Sequence, residues 1–370
     1  MTDKLQAAGK PRYDALDLMK AVGIFLVVFH HNNYSVPDLT VGGFANLGSY
    51  WLRSVISLDV VLFFFASGAV LLNKPLNLKR HGRKTLKLAG LTLLWAALTM
   101  IVSPLLRGDS FGTIPSVLSH VWNWDTNSLN HFWFLQQMVV LYLLFPLLKS
   151  AYDHNRPAFL FFLGVACLFS FGNSFLSMGR NVIRVVLLRR QPEIADYPFF
   201  NRFNFLTPIK GFSVAYLMLG GLLWEKREQL NKPRLRRLAA GVLLLSTLLH
   251  TSYGLVVSHC TGTTYDLMWP GHDSPFVLIG VLCVFVLCLG LPENGNGPVR
   301  RLAVLIGRNT MGIYFLHVIF GGNLARYYRQ LPGCALLPVN LLYVLLLTLL
   351  SLGVTLLLRK IPWIRNLLGT

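Results

Sequence analysis

The sequence predicts an all-α, polytopic membrane protein with about ten transmembrane helices and both termini in the cytoplasm. Of its 370 residues, 54% are hydrophobic and only 13% are charged, and the mean hydropathy is +0.53. Soluble domains carry roughly 25% charged residues, so this composition excludes a soluble cytosolic enzyme. Apolar runs of membrane-spanning length recur along the whole chain, which is typical of a multi-pass protein.

The predicted helices are apolar segments of the roughly 20 residues that an α-helix needs to cross a bilayer core. In order, they cover residues 15–34, 54–73, 86–106, 132–150, 158–178, 206–224, 236–256, 274–291, 302–320 and 337–358. No long polar insertion and no internal repeat interrupts the series. We therefore expect one integral-membrane domain over residues 1–370, with a short cytoplasmic segment at 1–14 and a cytoplasmic tail at 359–370.

The basic residues predict the orientation of these segments. With the N terminus inside, 22 of the 34 Lys and Arg residues fall on the inner segments and ten on the outer ones. Inner loops of membrane proteins carry such an excess, so the net charge of +19 is interpreted as a topology signal. Because the charge is spread over several loops, we expect no binding of nucleic acid.

The first predicted span carries ionisable residues, which are costly at membrane depth and therefore point to a function. Lys20 and His31 are eleven residues apart, close to three helical turns, so they share one face at an axial separation of about 16 Å. Asp17 precedes Lys20 by three residues and can pair with it. The structural alternatives are a lysine that snorkels to the interface and a histidine held by a local hydrogen bond. His30 points away from His31 and is interpreted either as packing or as a residue that supports the site without touching the substrate.

Several motifs follow one another along the chain. They are Leu16-Asp17 with Lys20 and His31, Phe63-Phe64-Phe65-Ala66-Ser67-Gly68, Lys79-Arg80-His81-Gly82-Arg83-Lys84, His131-Phe132-Trp133-Phe134-Leu135 with Tyr142-Leu143-Leu144-Phe145-Pro146, and Gly312-Ile313-Tyr314-Phe315-Leu316-His317. In this order they resemble the acyltransferase 3 family of bacterial integral-membrane acyltransferases. Within it, the chain is similar to the enterobacterial common antigen O-acetyltransferase type. Lys20 departs from the family's usual Arg and lacks the bidentate fork of a guanidinium.

The resemblance implies an O-acyltransferase of the bacterial cytoplasmic (inner) membrane. Its expected co-substrate is an acyl-CoA, commonly acetyl-CoA, and its expected acceptor is a hydroxyl of a surface glycan or of a polyprenyl-linked sugar. We expect membrane lipids as further partners and no metal. A transporter or flippase for a lipid-linked sugar is the alternative, although the chain lacks the repeated, interrupted helices of many transporters.

Three groups of residues form the predicted site. The predicted catalytic residues are His31, Lys20 and Asp17. Acyl-CoA is expected to contact the basic segment between the second and third spans and one serine, namely Lys79, Arg80, Arg83, Lys84 and Ser67. The acceptor is expected to contact aromatic residues and a histidine near the outer side, namely Trp133, Tyr314, His317, Trp122 and Trp124.

Each prediction has a simpler structural alternative. His31 is expected to act as a general base or to carry the acyl group as an acyl-imidazole, and the sequence does not separate the two. The basic segment serves equally as a topology signal, Ser67-Gly68 as a helix-packing contact, and the tryptophans as an interfacial belt. Asp59 has no evident partner along the chain, and a Cys260–Cys334 disulfide is left open.

Overall fold

The described part of the chain, residues 13–35, 44–124, 129–192, 198–268, 271–291 and 297–368 of a computed structural model, is built of helices and contains no β-strand. In chain order, the longer helices are α1 (Asp14–His31), α2 (Phe44–Ile56), α3 (Val61–Leu71), α4 (Leu78–Arg107), α5 (Ile114–Asn123), α6 (Trp133–His154), α7 (Arg156–Cys167), α8 (Asn173–Val182), α9 (Gly211–Glu225), α10 (Pro233–Thr261), α11 (Pro275–Cys288), α12 (Pro298–Arg308), α13 (Thr310–Tyr328) and α14 (Leu337–Leu358).

Six helical stretches among the described residues are long and apolar enough to cross a membrane. They are Asn46–Leu71, Leu78–Arg107, Asn130–His154, Arg156–Leu187, Pro233–Thr261 and Leu337–Leu358, and α12 with α13 forms a seventh if the bent pair is one span. The apolar helices α9 and α11 have only 15 and 14 residues. Each of the ten predicted segments contains a helix. The number of about ten spans and the side of the termini stay predictions.

The predicted continuous helix over 302–320 is wrong, because the chain bends by 77° between α12 and α13. Asn309 lies at the bend with non-helical backbone angles, and its side-chain Nδ2 donates to the carbonyl of Leu305 at 2.7 Å. A short polar side chain that bonds to nearby backbone competes with the helical hydrogen-bond pattern. The bend turns α13 so that it packs along α1.

Helix α1 lies at the centre of the bundle. It contacts α3, α11, α12, α13 and α14, and its residues Met19, Ile24, Val27, Val28 and Phe29 are fully buried. Residues 21–29, the middle of this helix, are apolar on all sides, as is expected of a helix in such a position. We refer to the end of the bundle at which α1 begins as the inner end and to the opposite one as the outer end.

Helices α3 and α9 approach each other at two glycines. A Cβ atom on Gly68 would overlap the backbone of Leu217, and one on Gly220 would overlap the backbone of Phe65. Small residues permit this close contact between helices in membranes. The packing interpretation of Gly68 is therefore confirmed, and it brings the phenylalanine-rich element of α3 against the core.

We predict that Gly68→Ala lowers the stability of the purified protein by about 1–3 kcal/mol, since the added methyl group must push two backbones apart. Gly90→Ala is the matched control, because nothing lies within 4 Å of a Cβ at that helical position. The measurement is the midpoint temperature of loss of the size-exclusion peak in detergent. Equal midpoints for the two variants would contradict the close contact.

Candidate active site

A cavity of about 350 Å³ opens at the outer end of α1, and four histidines stand in its wall. We call it the histidine cavity; it is lined by His30, His31, Asn32, Tyr34, Asp59, Val60, Asn130, His131, Trp133, His272, Tyr314, Val318 and Gly322. Its volume is at the lower end of the range of about 300–1,000 Å³ for small-molecule sites. The cavity therefore has room for a small reacting group.

The imidazole of His31 is exposed in this wall, and its Nδ1 atom has two close neighbours. One is the carbonyl oxygen of Val27 at 3.0 Å, and the other is Nε2 of His317 at 3.1 Å. Nδ1 of His317 lies 3.1 Å from the carbonyl of Ile313. A carbonyl only accepts hydrogen bonds, so the proton of neutral His317 is on Nδ1 and its Nε2 is an acceptor.

The tautomer of His31 follows from these contacts. Both neighbours of its Nδ1 are acceptors, so Nδ1 of neutral His31 carries the proton and donates. Its Nε2 then has a free lone pair. A histidine oriented in this way through its other nitrogen has the arrangement of a general base. Tyr314 and His317 are three residues apart and share one face of α13. This face places His317, which is fully buried, directly beside His31.

Asp59 is the second centre of the cavity, and sequence analysis left it without a partner. Its Oδ2 accepts from Nδ1 of His30 at 2.6 Å, and its Oδ1 accepts from Nε2 of His272 at 2.9 Å. The backbone N–H of Val60 also donates to Oδ1. The carboxylate is buried, and the ring of His30 lies 5.4 Å from that of His31. Asp59 therefore holds two imidazoles beside the candidate base.

His131 and Tyr314 close the inner side of the cavity. The hydroxyl of Tyr314 donates to the carbonyl of His131. The His131 side chain is buried, its ring is 6.2 Å from that of His31, and its Nε2 has no hydrogen-bond partner among the described residues. An unpaired buried polar atom in a cavity wall is costly and points to a ligand atom that completes its hydrogen bonding.

A second, smaller cavity of about 170 Å³ lies on the other side of Tyr314, towards the inner end. This inner cavity is mostly apolar and is lined by Ile24, Phe63, Ser67, Leu88, Phe134, Leu135, Met138, Tyr142, Thr310, Met311 and Tyr314. Tyr314 borders both cavities. The structure thus brings Ser67 to a space that is separated from His31 by one tyrosine ring.

The predicted pairing of Asp17 with Lys20 is present, with Nζ of Lys20 at 2.6 Å from Oδ1 of Asp17. Asp17 is buried, and its Oδ2 lies 3.7 Å from Nε of Arg308. A Cβ on Gly307 would overlap the Asp17 backbone. These contacts tie the first turns of α1 to the end of α12, well away from His31.

The basic segment, which the sequence places between the second and third predicted spans, forms the first turns of helix α4. Asn77 caps α4 by accepting from the backbone N–H of Arg80 at 2.9 Å, as is typical of helix N-termini. Four basic residues of the first two turns are exposed, namely Lys79, Arg80, Arg83 and Lys84. Lys84 lies one helical turn before Leu88, which lines the inner cavity, and thus on the same face.

The predicted acceptor residues divide into two sets. Trp133 and Tyr314 line the histidine cavity, and His317 contacts His31. The structure does not bring Trp122 there, since its side chain is 89% exposed, and Trp124 packs on Phe132 instead. Both lie at the end of a short helix, α5, that sequence analysis did not predict. All five cysteines, including Cys260 and Cys334, are free thiols.

Sequence analysis missed Asp59, His131 and His272 as site residues. His131 begins the His-Phe-Trp-Phe-Leu motif, where a histidine next to a long apolar helix is itself a signal. The pairing of Asp59 with His272 joins residues 213 positions apart, and no local pattern reveals such a contact.

Comparison with known protein families gives one extended match. A family model described as an acyltransferase domain, that of acyltransferase 3, matches residues 13–360. No match is found among curated proteins or among solved structures. The matched range includes all the helices from α1 to α14, both cavities and every histidine described above.

We predict that His317→Phe lowers the turnover of the acyl-transfer reaction by about 10–100-fold, which is less than the roughly 10²–10⁴-fold that a positioned general base contributes, because His31 itself remains. The imidazole of His31 then loses one of the two acceptors that face its Nδ1 and keeps only the carbonyl of Val27. His317→Gln retains a side-chain acceptor and should recover part of the activity. Turnover and KM are measured separately; a change confined to KM, or no rescue by Gln, would contradict the orienting role.

Proposed function

We propose that this chain, which belongs to the acyltransferase 3 family of membrane acyltransferases, transfers an acyl group from acyl-CoA to a hydroxyl of a surface glycan or lipid-linked sugar precursor. The acyl group that we propose is acetyl, and the proposed location is the bacterial inner membrane. The observation that carries the proposal is the His31 imidazole, with Nδ1 facing two acceptors and Nε2 left for a molecule in the cavity.

In the proposed reaction, His31 Nε2 takes the proton of the acceptor hydroxyl as its oxygen attacks the thioester carbonyl. The new bond is the ester C–O bond, and the bond that breaks is the C–S bond to CoA. The CoA thiolate then takes up the proton held by His31, which restores the neutral imidazole. General-base assistance of this kind contributes roughly 10²–10⁴-fold to rate. Attack by His31 itself, through an acyl-imidazole, uses the same nitrogen.

The two cavities suggest how the substrates meet. The exposed basic residues at the start of α4 are suited to the phosphates of CoA, because they are cationic and lie at the inner end, where the positive-inside rule places the cytoplasm. The apolar inner cavity, with Ser67 and Thr310 in its wall, would hold part of the pantetheine arm. The acceptor would enter the histidine cavity from the outer end.

Lys20 and Asp17 belong to the inner end in this scheme. Their ion pair lies about three helical turns below His31, too far to touch the reacting atoms. We assign them to the binding of the CoA part and to the attachment of α1 to α12, through the approach of Asp17 to Arg308.

The first test compares surface polysaccharide from a deletion strain that carries the wild type, His31→Ala or His120→Ala. His120 is an exposed histidine on α5 that bonds only within its own helix, so it is the matched control. We expect ester-linked acyl groups, measured by mass spectrometry, with the wild type and His120→Ala, and at least 100-fold fewer with His31→Ala.

Equal membrane levels of the three proteins are the required control. Full acylation by His31→Ala would refute the role of the base. Unchanged esters in the deletion strain together with a loss of glycan export would instead favour the transport function. The mass of the ester identifies the acyl group.

The proposed CoA contact predicts a defect confined to KM. Replacing Arg83 and Lys84 by Ala should raise the KM for acetyl-CoA by about fivefold for each charge, the effect of about 1 kcal/mol per exposed ion pair, with little change in turnover. Lys232→Ala removes an equally exposed charge beside α10 and should leave the KM unchanged. Because salt screens exposed charges, the difference should diminish at high ionic strength; a difference that salt leaves intact contradicts phosphate binding.

A further inference from the structure

A third cavity, of about 270 Å³, adjoins the histidine cavity at the outer end, and nothing in the mechanism above uses it. We call it the side cavity. Asn130, Trp133 and His272 line both spaces, so the two cavities share one wall. The ring of His272 stacks at 6.4 Å on that of His30, which in turn neighbours His31. A molecule in the side cavity would therefore lie next to the candidate base.

The remaining wall of the side cavity is rich in hydroxyl, amide and aromatic groups. Ser177, Asn181, Tyr253 and Tyr265 contribute from α8, α10 and the segment that follows α10. The Oγ atom of Ser177 is buried and has no hydrogen-bond partner among the described residues. A buried hydroxyl without a partner costs free energy, and a hydrogen bond to a ligand hydroxyl removes this cost. Neutral donors and acceptors beside aromatic faces, together with the carboxylate of Asp273 in the same wall, suit a polyhydroxylated ring.

Lys210 adds a cation to the border between the two outer cavities. Its Nζ lies 5.1 Å from the centre of the Trp133 ring. Its backbone has φ of 45° immediately before α9, a left-handed conformation that costs a residue other than glycine about 1–2 kcal/mol. Strain of this kind is typical of functional sites. The ammonium group of Lys210 lies over the tryptophan that both cavities share.

We propose that the side cavity binds a sugar ring of the acceptor and presents its hydroxyl past Trp133 and His272 to His31. This inference rests on the proposed acyl transfer and names the acceptor site for it. It also replaces the predicted sugar contacts of Trp122 and Trp124, which lie outside the cavities. The small volume fits a single ring, so the rest of the glycan or its lipid carrier remains outside.

The test measures two reactions of the same variants. The first is acylation of the cell's own surface polysaccharide, and the second is acetyl-CoA hydrolysis by the purified protein without acceptor, followed as release of the CoA thiol. The variants are Ser177→Leu, which fills the cavity, and Lys210→Met. Ser252→Val is the control, because Ser252 is exposed and bonds within its own helix.

We expect the ratio of transfer to hydrolysis to fall at least tenfold in Ser177→Leu and Lys210→Met and to stay at the wild-type value in Ser252→Val. Lys210→Arg keeps the cation and should recover part of the ratio. An unchanged ratio in both site variants, or equal loss of the two reactions in protein with a normal size-exclusion profile, overturns the acceptor site. Absence of both reactions in the wild type refutes the proposed function instead.

Discussion

The buried carboxylate of Asp59 is the interaction on which the outer half of the structure depends. Burial of a charge costs several kcal/mol unless hydrogen bonds compensate for it, and here the donors are His30, His272 and the N–H of Val60. These donors belong to the end of α1, the segment before α11 and the start of α3. The charge of Asp59 is compensated only when all three segments are in place, so burial of this carboxylate favours one arrangement of the cavity wall. Because His31 directly follows His30, the same arrangement determines the position of His31.

The bend at Asn309 completes this arrangement from the opposite side. Asp17 meets the end of α12 directly before the bend. From there α13 runs in a direction 77° away from that of α12 and packs along α1, which brings His317 to His31. The fixed ends of α1, one at Arg308 and one at Asp59, restrain the helix that carries the base over its whole length.

The features of the fold and of the site that depend on local interactions could be predicted from the sequence. The pairing of Asp17 with Lys20 follows from helical periodicity alone. The packing of Gly68 follows from residue size. The contact of Asp59 with His272 could not be predicted in this way, because it joins distant parts of the chain. The bend at Asn309 could not be predicted either, because tertiary packing decides whether the helix there is straight or broken.

Tyr314 lies between the proposed acyl-CoA side and the proposed acceptor side of the site. Its ring borders both the inner and the histidine cavity, and its hydroxyl is bound to the carbonyl of His131, so the two spaces are separated by a side chain with a fixed partner. In the proposed reaction, a thioester that comes from the inner end would pass this ring to reach His31. It would then lie near His131, whose buried Nε2 has no hydrogen-bond partner among the described residues. A protonated Nε2 would donate to the thioester oxygen and stabilise the negative charge that develops there during acyl transfer.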